Sequence, residues 1–108
     1  MSGRRVATLG AVLLAASCAP AMTPEQKMSH ELWIDAAYQC ESTYHTIHVD
    51  AIGLDGNLSI HADADSRGEY RPFIACYHEG IKRRVEEIKK AGKPVPEALN
   101  NMPGVDLD

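Results

Sequence analysis

The chain changes its hydrophobic period twice, and that order of periods is what most limits its fold. From Thr23 to Tyr44 apolar residues recur at helical spacing. Trp33, Ala37, Cys40 and Tyr44 share one stripe, which Met28, Leu32, Ala36 and Tyr38 widen. Thr23-Pro24-Glu25-Gln26 reads as the helix start, with a capping threonine, proline at the first helical position and glutamine completing a capping box. Thr46 to Ile52 and Asn57 to Asp63 then alternate around Gly53-Leu54-Asp55-Gly56, which is a hairpin signal. Helical spacing returns at Pro72 and runs to about Ala91, with Phe73, Tyr77, Ile81, Val85 and Ile88 as its stripe. Gly92 and Pro94 end it.

These periods predict an α+β fold, mainly α, in which a helix, a β-hairpin and a second helix follow in order. Residues 22–99 make one small domain. Ser66 and Glu69 are expected to cap a first turn in the polar connector, and residues 96–99 to add one more turn. Residues 100–108 read as a loose tail. A two-stranded hairpin is not stable alone, so its apolar face must pack on the helices.

The hairpin register can be derived. With Asp55-Gly56 as a two-residue loop, Ala51 faces Ile60, Val49 faces Ala62 and Ile47 faces Ala64, and every pair is apolar. The opposite face then sets His48 against Asp63 and Asp50 against His61. Imidazole and carboxylate are ligands that Zn²⁺ and other divalent transition metals accept, which makes His48, Asp50, His61 and Asp63 a candidate metal site. The plainer reading is cross-strand His–Asp pairing on a solvated face.

The first 21 residues are of a different kind. Arg4 and Arg5 precede an uncharged run from Val6 to Ala16, whose end leads into Leu14-Ala15-Ala16-Ser17-Cys18. This is the layout of a signal peptide, and the run is too short for a permanent membrane span. The segment resembles a bacterial lipoprotein signal, although Ala15 stands where that family usually has Leu. The resemblance implies lipidation of Cys18, a membrane tether through that lipid, and a domain facing the periplasm. Ala19, where an Asp would hold such proteins at the inner membrane, implies the outer membrane. Ordinary cleavage after Ala19-Pro20-Ala21 is the alternative, giving a soluble periplasmic or secreted protein.

Either route leaves Cys40 and Cys76 as one pair in an oxidising compartment, where they most simply form a disulfide. Aromatic residues are only 6% of the 108. So small a core rarely stabilises a fold alone, and a bridge between the helices would supply what it lacks.

Loss of Arg4 and Arg5 takes the formal charge from −4 to −6, which argues against nucleic-acid binding. Lys82, Arg83, Arg84, Lys89, Lys90 and Lys93 make one end basic. They read as a solvated helix face near the negative end of the helix dipole, or else as a dock for an anionic surface. No catalytic residues are assigned. Cys76 and His78 are two apart on a helix and point to different sides, while Ser59, His61 and Asp63 are too widely spaced along a strand for direct relay. The expectation is a small exported envelope protein that acts as a non-enzymatic structural or interaction module with an unidentified envelope protein partner. A periplasmic transition-metal binder is the alternative, and a small enzyme the remote one.

Overall fold

Thr23 begins the first helix as its sequence predicts. In a computed structural model describing residues 21–108, its Oγ1 accepts from the Gln26 N–H at 3.1 Å while its own N–H donates to Gln26 Oε1 at 2.9 Å. Arg4, Arg5 and Cys18 lie outside the described residues. Helix α1 spans Pro24–Thr43. Ser29, Leu32, Trp33, Ala36, Ala37 and Cys40 form its buried face, while Tyr38, expected on the stripe, is 50% exposed.

Strands β1 (Ile47–Ile52) and β2 (Leu58–Ala62) pair antiparallel. The expected faces hold for Ile47 to Val49, but the expected register is displaced, and Ala51, expected on the apolar face, is exposed. Ile47 lies opposite Ala62 rather than Ala64, and Val49 opposite Ile60 rather than Ala62. An irregularity at Asp50 then sets Ala51 against Ser59 and Ile52 against Leu58. The cause is the loop. Residues 53–57 form a wider turn in which Gly53 N–H donates to Asn57 O at 2.8 Å and Asp55 Oδ1 accepts from Asn57 N–H at 2.9 Å. The bulge returns Ile52 to the covered side beside the buried Leu58.

Helix α2 spans Tyr70–Lys90, two residues earlier than Pro72 implies, after a 3₁₀ turn at Arg67–Glu69. Ser66 makes no side-chain cap bond, and Glu69 instead accepts from the Thr46 hydroxyl. Phe73, Tyr77 and Ile81 are buried, with Val85 and Ile88 packed at the margin. The two helices run antiparallel. They approach closely where Gly80 meets Ala36, since a β-carbon on residue 80 would lie 3.5 Å from Ala36 Cβ. One turn away a disulfide joins Cys40 of α1 to Cys76 of α2, with Cα atoms 6.0 Å apart.

The expected loose tail is ordered. A 3₁₀ turn at Glu97–Asn100 buries Leu99, and β3 (Val105–Leu107) pairs parallel with β2. The sheet order is β1-β2-β3, so the chain passes from β2 through α2 to a parallel neighbour. Both helices cover one sheet face, where Ile47, Leu58 and Ile60 meet Trp33, Phe73 and Tyr77. Among the described residues no helix is long and apolar enough to cross a membrane.

Candidate functional site

The face of the hairpin turned away from the helices carries the polar cluster that the sequence singles out. Alternation along β1 and β2 puts Ile47, Val49, Leu58 and Ile60 against the core, so His48 and His61 must point outward. The two histidines are direct cross-strand partners, and their ring centres are 5.0 Å apart.

Each expected His–Asp pair forms, along a diagonal rather than straight across. His48 Nε2 donates to Asp63 Oδ1 at 2.9 Å. His61 Nδ1 donates to Asp50 Oδ1 at 2.8 Å and lies 3.0 Å from Oδ2. A register error of two residues keeps side chains on the same face, and diagonal neighbours remain within reach of a histidine. All four side chains are open to solvent, which limits the stability that these pairs add.

The quartet therefore divides into two pairs. Among the described residues no group of three His, Cys, Asp or Glu side chains is arranged to hold a metal ion. The Ser59, His61, Asp63 series is no relay either, because His61 bonds Asp50 while Asp63 bonds His48.

A second polar cluster fixes the hairpin loop to the helices. Tyr77 OH donates to the Gly56 carbonyl at 2.7 Å in a buried position. Burial pushes the phenol well above its ordinary value of 10.0, and the negative charge of Asp55 pushes it the same way. Asn57 Oδ1 accepts from Gly104 N–H at 2.9 Å, and Gly104 O accepts from Leu58 N–H at 3.0 Å. Helix α2 holds the returning chain from its other side. His78 Nε2 donates to Pro103 O at 2.9 Å, and Tyr70 OH donates to Asp108 O at 2.8 Å.

Sequence reasoning missed Glu41. Its Oε2 accepts the Val49 N–H at 2.7 Å, so the end of α1 covers a backbone donor on edge strand β1. The only local signal is a charged residue in a helix's last turn, where a carboxylate is unfavourable to the dipole.

The basic end of α2 is partly neutralised within its own helix. Lys82 pairs with Glu79 at 3.3 Å and Lys89 with Glu86 at 3.6 Å. Arg84 turns back to Gly80 O and across to Gln39 Oε1 on α1. Beside it lies a cleft of about 420 Å³ between the helices, lined by Met28, Leu32, Asp35, Arg84, Ile88 and Lys93.

No protein-family model matches the chain, and neither the curated proteins nor the solved structures provide a match.

Proposed function

We propose that this chain is an exported envelope protein, tethered through a lipid on Cys18, that works as a non-enzymatic structural or interaction module. The observation that carries the reading is the Cys40–Cys76 disulfide. Such a bridge persists where the surroundings are oxidising, as they are outside the cytoplasm, and small exported domains rely on one where their core is limited. The signal-like leader with Cys18 supports the same compartment.

The tether would be short. Helix α1 begins at Pro24, six residues after Cys18, a stretch that reaches about 20 Å at most. The domain is then held at the bilayer surface, where it meets other envelope proteins or lipid headgroups. Ala19 favours the outer membrane.

Growth of expressing bacteria on a labelled fatty acid tests this directly. The label is expected on the wild-type protein in the membrane fraction and absent from Cys18→Ser. A wild-type protein that is unlabelled and begins at Met22 would establish the soluble exported form instead. A wild-type protein with an intact leader and free Cys40 and Cys76 would end the export reading.

A further inference from the structure

The outer face of the hairpin has the dimensions of a two-imidazole chelate. A ring nitrogen binds a divalent transition metal at about 2.0–2.1 Å, which puts the ring centre about 3.2 Å from the ion. Two rings bound side by side, at angles from about 90° to about 109°, then have centres about 4.5–5.2 Å apart. His48 and His61 are at 5.0 Å.

Their other nitrogens are already assigned. A carboxylate oxygen accepts, so His48 carries its hydrogen on Nε2 and His61 on Nδ1. In the neutral rings this leaves one lone pair on His48 Nδ1 and one on His61 Nε2. Metal-binding histidines characteristically hold their second N–H against a carboxylate, which fixes the tautomer and strengthens the ligand. Here both rings have such a partner, Asp50 on β1 and Asp63 just past the end of β2. Two carboxylates behind two neutral imidazoles also balance the charge of a dication. With 39% of the His48 side chain and 46% of the His61 side chain exposed, an ion can reach them.

We propose that His48 and His61 chelate one divalent transition-metal ion, with Asp50 and Asp63 orienting the rings and water completing the coordination. The expected preference is Cu²⁺ over Ni²⁺ and Zn²⁺. Nitrogen ligands disfavour Ca²⁺ and Mg²⁺, which take oxygen. This goes beyond the tethered module and stands without it. It also differs from a four-ligand site, because the aspartates act through the histidines and do not bind the ion.

The test is titration of Cu²⁺ into protein purified from cells expressing the full-length sequence, after chelator treatment, with pulsed electron paramagnetic resonance to count coordinated imidazoles. One tightly held Cu²⁺ per chain with two imidazoles is expected. His48→Ala or His61→Ala should weaken binding at least about 100-fold, the order that a second ligand on the same scaffold contributes. Asp50→Asn and Asp63→Asn should each weaken it about 10–100-fold while the two-imidazole signature persists. Equal binding by the His48→Ala/His61→Ala double variant overturns the proposal. So does a wild-type spectrum with fewer than two imidazoles, a result independent of how any variant folds. Unchanged Cu²⁺ affinity in both Asp50→Asn and Asp63→Asn would overturn the orienting role.

Discussion

Gly56 lies directly against the indole of Trp33. A β-carbon on residue 56 would come within 2.6 Å of Trp33 Cε2 and 2.7 Å of Cδ2, and 3.1 Å of Pro103 Cβ. The residue also has a φ of +87°, which L side chains rarely adopt. The loop can close over the core only because nothing projects there. Gly56→Ala is expected to lower the unfolding free energy by about 2–4 kcal/mol, combining overpacking with left-handed backbone strain. Urea denaturation of the two proteins would check it, and a wild-type midpoint would mean that the loop sits elsewhere.

The disulfide should contribute much of the stability of so small a domain. Cys40 and Cys76 close a ring with a sequence separation of 36, for which chain entropy gives roughly 4 kcal/mol. Cys40→Ser/Cys76→Ser should therefore melt well below the wild type, and a reducing agent should lower the wild-type melting temperature toward that of the variant. Equal melting with and without reductant would show that the bridge is absent in solution.

Alkaline pH should unfold the protein through Tyr77. Its phenol is harder to ionise in the folded state than in the unfolded chain. The resulting stability is fully present below about pH 10, where the phenol is neutral in both states. It is lost above that pH as the unfolded phenol ionises first, by up to about 1.4 kcal/mol per pH unit. Tyr77→Phe should cost about 1–2 kcal/mol at neutral pH, since the buried Gly56 carbonyl loses its donor. The same change should flatten the alkaline slope, read from denaturant midpoints between pH 9 and about pH 11. An unchanged slope would assign the alkaline loss to other groups.

Glu41 protects an edge. Glu41→Ala removes the acceptor of the Val49 N–H and should cost about 1–2 kcal/mol, with faster hydrogen exchange at that amide. The uncovered strand should also make the variant more prone to self-association, which sedimentation would detect.

The two helices and the hairpin were legible because each rests on local spacing: stripes at three and four, a Thr–Pro–Gln start, alternation around Asp-Gly. The disulfide was legible because Cys40 and Cys76 are the pair left once the leader is set aside. The register was not legible from the same pattern. Before the bulge the shift is two residues and leaves each side chain on its own face, so Val49 meets an apolar partner in Ala62 or Ile60 alike, whereas beyond it Ala51 turns outward. The discriminating sign was the three-residue step from Val49 to Ile52, which only a bulge can keep on one face. The His–Asp face survived this error because it depends on the same parity. Strand β3 escaped detection because Val105-Asp106-Leu107 is too short to show alternation, and its place is set by Asn57, Tyr70 and His78, distant in sequence. Glu41 escaped for a similar reason, since its partner lies on another element.

The covalent ring from Cys40 to Cys76 contains β1 and β2 but excludes β3. The sheet is thus divided between a part that cross-linking confines and a part that only hydrogen bonds and the packing of Val105 retain. Lifting β3 breaks its pairing with β2 and its anchors to Tyr70 and His78, while every bond inside the ring can stay made. Separating β1 from β2 means disrupting a closed loop packed on both helices. The domain therefore has a clasp at its C-terminal end whose release leaves the cross-linked body closed.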